Sequence, residues 1–403
     1  MFAHNSLTLT GRLMLFFVAA FASALNGQAQ TEGIYADFTT SMGSYTCRLE
    51  YAIAPKACAN FIGLATGLRP WLDLNTGRAR TDAFYKGILF HRVVSGFVIQ
   101  AGSRDGLGDD GPGYFVPDEI SPALRFTNAW MLAMANSGTN SNGSQFFITV
   151  ASHPELNDGY TIFGEVTGGT NVVQAINSVA VANERPLTNI TIQSVNIRRV
   201  GATAQAFDIN AQGLPLVTNI STRPALNASQ IALTFSNRLY ADNELYYTTN
   251  LAASSWNADS LGIEVSTPQT NTFYKPRDAS RQFYRVAQIQ YASSTFAPKN
   301  VYGRTMTFTF LSGASGVLTN TFNAVGTGTF GYTGPATGAI TSYNWYQEAY
   351  RGSFYLIFYD SLPPMYLQAS YAGNSGGVFT GTVYPNYPYA FGSYSVAGTF
   401  TSN

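Results

Sequence analysis

Charge is scarce in this chain. Only 11% of its 403 residues are Asp, Glu, Lys or Arg, against about 25% in an ordinary soluble domain. The 22 basic and 22 acidic residues cancel, so the basic face of a nucleic-acid protein is not expected. Three histidines and two cysteines are too few for a His- or Cys-rich metal cage, and no metal or other cofactor is expected. No glycine-rich loop has phosphate-binding spacing. Ser144 lies in Gly143-Ser144-Gln145, which is not the five-residue nucleophile elbow. Hydrolysis, metal catalysis and hydride transfer therefore find no support. What the chain does have is 45% hydrophobic residues, 38 Gly, 25 Tyr and 28 Phe. That composition favours strands and turns around packed cores.

The one long apolar run lies near the start. Arg12 precedes it, and residues 13–25 form it. The run is shorter than the about 20 residues a bilayer span requires. Gly27-Gln28-Ala29 follows with small residues, as at a signal-peptidase site. A signal peptide over 1–29 is expected, with the mature chain exported to a periplasmic or extracellular space; a short anchor is the bland alternative. In such a space Cys47 and Cys58 could form a disulfide, and two buried thiols fit equally well.

Composition changes near residue 200. Residues 30–200 hold 12 Lys/Arg and 14 Asp/Glu, and residues 201–403 hold 9 and 8. Within 301–403 the only charges are Arg304, Glu348, Arg351 and Asp360. Three modules are predicted: 30–200, 206–291 and 301–403. In the first, residues 33–49 alternate as strands. Pro55 opens a helix that runs to Gly67, and a second helix fits NVVQAINSV with Thr170 or Asn171 near its N-cap. The second reads as a small β-sandwich-like module, from IALTFS, ELYYTTN, GIEVST and QFYRVAQIQY. The third is a meander of period-two runs, expected to close as an antiparallel β-barrel or sandwich and to fold by itself.

Three segments of the first module recur in a familiar order. They are FHRVVSGFVIQAG (90–102), MANSGTNSNGSQFFIT (134–149) and LNDGYTIFGEV (156–166). With the upstream MGSYTCRLEYAIAPKACANFIGLATG, the arrangement over about 33–200 resembles the cyclophilins, a family of peptidyl-prolyl cis–trans isomerases. The insert RPWLDLNTGRARTDAFYKG is similar to that of longer bacterial-type members. The resemblance implies a mainly β fold, a closed eight-stranded antiparallel barrel capped by two helices. From the division into modules, a fragment ending near residue 200 is expected to keep the activity.

The chemistry accounts for the residues. An X–Pro bond turns slowly because amide resonance gives a barrier of about 18–20 kcal/mol. No bond breaks, so neither nucleophile nor metal is needed. In the twisted state the prolyl nitrogen gains a lone pair, and an always-charged donor aimed at it favours that state. By position in the motifs, the resemblance makes Arg92 that donor, steered by Gln100 with Gln145 nearby. It puts Phe97, Val98 and Phe147 around the proline ring, with Leu156 and Tyr160 closing the pocket. Asn136, beside Ala135, would bind the substrate backbone through its main chain. Phe146 must face the opposite way from Phe147, and His91 reads as a hydrogen-bonded core histidine. Asp109 and Asp110 read as solvated turn residues.

This chain departs from the family pattern at several points. His153-Pro154-Glu155 stands where many members have Trp, Tyr160 replaces a His, Val98 a Met, and Trp130 a common Gly. The expected partners are proline-containing polypeptides, with no nucleic acid and no stable membrane span. The rival function is a non-catalytic binding protein, holding proline segments in the barrel and a glycan or cell surface on the aromatic tail.

Overall fold

The protein is described from a computed structural model. The described residues are 31–402 except 139, 239, 265–269, 278–281, 293–304, 323–326, 334–336, 349–350, 361, 374–375 and 386–393. The expected signal peptide, and most of the expected boundary before residue 301, lie outside them.

Eight antiparallel strands form one curled sheet. Its spatial order is Ile192–Val200, Gly33–Thr40, Gly43–Leu49, Ile162–Gly168, Met131–Met134, Phe146–Thr149, Val98–Ala101 and Phe90–Val94. The full closure expected of this sheet does not occur. Its two edges meet through a single bridge, Leu89–Thr191. Beyond the bridge, the edge of Phe90–Val94 is taken by the small hairpin of Val181–Ala182 and Arg185–Pro186. The Val93 N–H donates to the Glu184 carbonyl at 2.7 Å. A strand edge already covered in this way has no free ladder for the opposite edge.

Helix Pro55–Thr66 starts with proline, whose missing N–H costs nothing in the first turn, and stops at Gly67, whose φ of 72° is left-handed. The amides of Lys56 and Ala57 donate to Glu119 at 3.0 and 2.8 Å. Helix Thr170–Asn177 starts differently from expectation. Its cap is Gly169 in the left-handed region, and neither Thr170 nor Asn171 serves as a side-chain cap. A Cβ at Gly169 would sit 2.5 Å from the Ser44 carbonyl, so the approach of the strand demands glycine.

Cys47 and Cys58 are both free and fully buried. The thiol alternative is the one present, with Cys58 Sγ donating to the Phe163 carbonyl at 3.3 Å. Burial raises both thiol pKa values, which keeps them protonated and unreactive. His91 is the extra residue where the register slips between Phe90 and Arg92. It is buried, as expected, and burial lowers its pKa. It is not fully hydrogen-bonded, because its Nδ1 has no partner.

The next module pairs a four-stranded sheet with a three-stranded one. Leu233 and Phe235 of one sheet pack with Leu245 and Val286 of the other. This module is anchored to the first. The hairpin of Trp71–Asp73 and Arg78–Arg80, which is the insert singled out in the sequence, lies against strand Leu216–Ile220. Asn219 donates to the Gly77 carbonyl at 2.7 Å and accepts from the Ala79 N–H at 2.9 Å. The Tyr246 ring takes the space a Cβ on Gly77 would need, 2.1 Å away. Trp71, Leu72, Val217, Tyr246 and Ile289 share one apolar cluster with the core of the eight-stranded sheet. The boundary near residue 200 is thus crossed by a continuous core.

Eight strands, from Thr305–Ser312 to Tyr394–Ser402, form a closed antiparallel barrel. Phe308, Phe310, Phe322, Phe330, Phe379 and Phe400 are buried in its core. Partly buried threonines pair between its strands, as Thr305 with Thr321 at 3.0 Å. Among the described residues no helix is long and apolar enough to cross a membrane.

Candidate active site

Four short strands place the predicted residues. The register sets Arg92 opposite Gln100, Gln100 opposite Phe147, and Phe147 opposite Ala133. Residues directly opposed across antiparallel strands share a face. Alternation sends their neighbours Val93, Ile99, Phe146 and Leu132 into the main core. Phe146 therefore faces inward and Phe147 outward, as the pleat requires. On the outward face Val98, Phe126, Met131, Ala133, Phe147 and Ile162 make a separate small apolar cluster. Phe97, Ala135, Leu156 and Tyr160 pack on it while staying partly exposed.

A line of polar side chains runs beside this cluster. Arg92 Nε donates to Glu184 Oε2 at 2.6 Å, and its Nη1 to Gln100 Oε1 at 3.3 Å. Gln100 Nε2 donates to Gln145 Oε1 at 3.1 Å. Gln145 Nε2 in turn donates to the carbonyls of Gly108 and Asp110 at 2.8 and 3.0 Å. The guanidinium is thus held on two sides while remaining partly exposed. A fixed fork needs less ordering when a ligand arrives.

The apolar patch has aromatic walls. Tyr160 meets Phe147 edge-on at 5.3 Å, and Phe126 stacks beneath Phe147 at 5.9 Å. Phe97 is met edge-on by His153 at 4.6 Å, and His153 Nδ1 pairs with Glu155 at 2.8 Å. The Asn136 side chain braces a loop. Its Nδ2 donates to the Gly159 carbonyl at 2.9 Å, and its Oδ1 accepts from the Gly138 N–H at 3.2 Å.

All ten predicted residues line this one face or its rim. Three further residues escaped the sequence reading as site components. Phe126 lies outside the regular strands, so no periodicity marks it. His153 packs against Phe97, and the sequence marked it only as part of the segment that stands where many members have Trp. Glu184 is 92 residues from Arg92 and sits in a hairpin turn with Asn183, both at positive φ. Asp110 also departs from expectation: it is no solvated turn residue. It accepts from Ser103 Oγ at 2.7 Å, Arg104 N–H at 2.8 Å and Asp105 N–H at 3.1 Å, and burial raises its pKa. Trp130 adopts φ 75°, a left-handed conformation in which glycine is the easier residue.

Comparison with known proteins covers the same stretch. Residues 35–197 match the family described as cyclophilin type peptidyl-prolyl cis-trans isomerase/CLD. Peptidyl-prolyl cis-trans isomerase B of Streptomyces anulatus is 47% identical over 168 residues, covering 41% of this chain and 96% of that protein. Peptidyl-prolyl cis-trans isomerase A of Mycobacterium tuberculosis is 47% identical over 147 residues, covering 36% and 81%. A crystal structure of a Cryptosporidium parvum cyclophilin type isomerase aligns over 41% of this chain and 98% of its own at 31% identity, with a TM-score of 0.37. Near-complete coverage of the Streptomyces relative at that identity, over the residues that build this face, leaves one conclusion: the chain belongs to the cyclophilin-type peptidyl-prolyl cis-trans isomerases.

Proposed function

We propose that this isomerase acts on X–Pro bonds of proline-containing chains outside the cytoplasm, and that Arg92 is its catalytic group. The observation that carries the reading is the cross-strand row Arg92–Gln100–Phe147 beside a discrete apolar patch. The proline ring rests on Val98 and Phe147, with Phe97, Leu156 and Tyr160 at its edge. The main chain of Ala135 and Asn136 holds the substrate backbone. Arg92 donates to the prolyl nitrogen as it becomes pyramidal, an interaction absent from the planar amide. An interaction present only in the twisted state lowers the barrier.

Gln100 and Glu184 position the guanidinium before the peptide binds, so little ordering remains to be done at the moment of rotation. One charge-assisted hydrogen bond contributes about 1.5–3 kcal/mol. The rest of the acceleration comes from the fixed dipoles and apolar walls, which replace water that would favour the planar amide. No bond is broken, so the step calls for no cofactor.

Export rests on the leader: Arg12, the apolar run 13–25, and Gly27-Gln28-Ala29. Outside the cytoplasm slow X–Pro isomerisation limits the folding of many chains. N-terminal sequencing of protein from the extracytoplasmic fraction should begin at Gln30. An intact Met1 in membranes would point to a short anchor in place of a cleaved signal, and an intact Met1 in the cytoplasm would contradict export, with the chemistry untouched in either case.

A further inference from the structure

We propose that residues 206–291 supply one wall of the substrate cleft, and that this wall selects substrates with a basic side chain flanking the X–Pro bond. The inference rests on the reading above, in which Gln100, Gln145, Ala135 and Asn136 face the peptide. Those residues line one side of a cleft of about 720 Å³, within the roughly 300–1,000 Å³ of ligand pockets. Asp242, Glu244 and Tyr291 line the cleft from the second module. The isomerase fold by itself would leave that side open.

The wall is built in place. Asp242 and Glu244 are two apart on strand Ala241–Thr248, so they share a face. Tyr246, seated against Gly77, donates to Glu244 Oε2 at 2.5 Å. Tyr291 is fixed through its N–H, which donates to the Tyr240 carbonyl at 2.9 Å. The anchoring hairpin and the loop carrying Asp109 and Asp110 belong to the first module, so the two walls have a fixed spacing.

Charge gives the cleft its selectivity. Asp109, Asp242 and Glu244 line it beside the loop-bound Asp110, and among the described residues no Lys or Arg does. Burial raises the pKa of Glu244, a cost that an incoming cation relieves. A lysine or arginine on the substrate has the reach and charge to enter. An acidic side chain meets like charge, and such repulsion excludes as effectively as attraction selects.

The test uses the full chain and a series of X–Pro peptides. Lys, Leu or Glu is placed at each of several positions on either side of the proline. At one flanking position kcat/KM should be about tenfold higher for Lys than for Leu, with Glu lower still. The preference should shrink as salt rises. In the Asp242→Asn/Glu244→Gln variant, isosteric and checked for an unchanged melt, the Lys-to-Leu ratio should fall towards one. A wild-type ratio near one at every position would overturn the inference while leaving the isomerase reading intact. A preference that survives in the variant would also overturn it, since the first module's own carboxylates would then suffice. Failure to turn over any peptide would remove the underlying reading and the inference with it.

Discussion

Replacing Arg92 by alanine should lower kcat/KM for an X–Pro peptide by about 10–100-fold, the effect of losing one charge-assisted hydrogen bond made only in the twisted state. The loss should appear in kcat, with KM changing little, because a planar substrate gains little from the guanidinium. Arg92→Lys should recover only part of it. Lysine presents a point charge and cannot hold Glu184 and Gln100 through a planar fork. Both variants should melt close to wild type, since Arg92 is partly exposed and its ion pair with Glu184 is solvated. Protease-coupled or NMR exchange rates at saturating and at low peptide separate kcat from KM. A rise in KM alone would mean that Arg92 merely binds substrate.

The largest loss of stability should follow Arg69→Ala. Arg69 is only 5% exposed. Its guanidinium donates to Asn210 Oδ1 at 3.0 Å and to the carbonyls of Leu214 and Pro215 at 3.1 and 2.8 Å. Its aliphatic stem lies so close to helix Pro55–Thr66 that a Cβ on Gly63 would meet Arg69 Cγ at 2.7 Å. Truncation strands three acceptors and opens a void, at a cost of about 3–5 kcal/mol. Burial lowers the Arg69 pKa, yet a guanidinium stays charged at neutral pH. In calorimetry the transition of the joined first and second modules should fall by roughly 10 °C. The barrel of residues 305–402 should keep its own transition. A shift of the joined transition within error would mean that the two modules fold independently and that Arg69 contributes little to joining them.

Much of the site was legible because strands alternate. That Phe146 and Phe147 face opposite ways follows from period two; the resemblance chose Phe147 as the outward one, and the shared face of Arg92, Gln100 and Phe147 needs only the correct register. The motifs supplied that register by resemblance. The contacts that were missed are those no local pattern encodes. Glu184 reaches Arg92 across a hairpin whose strands are two residues each. Phe126 packs from an irregular segment, and Asp110 is buried by a loop that folds around its carboxylate.

At the level of the fold, the closed barrel of the C-terminal part was legible, because sparse charge and alternating aromatics are what a filled barrel needs. The same reasoning placed a boundary near residue 200 that the core does not respect. Composition counts residues and is blind to a buried arginine and a hairpin that join two modules. Incomplete closure of the eight-stranded sheet was hidden for a similar reason. It depends on which segment covers the edge of Phe90–Val94, a competition between distant pieces of chain.

The central claim is that this face catalyses rotation about X–Pro bonds. It is tested most directly by NMR exchange spectroscopy on an Ala-Pro peptide, with the folded chain added in catalytic amount. The account predicts cis–trans exchange far faster than the uncatalysed time of tens to hundreds of seconds, in proportion to added protein and about 10–100-fold weaker with Arg92→Ala. Exchange at the uncatalysed rate, with peptide bound and the protein shown to be folded, would contradict it.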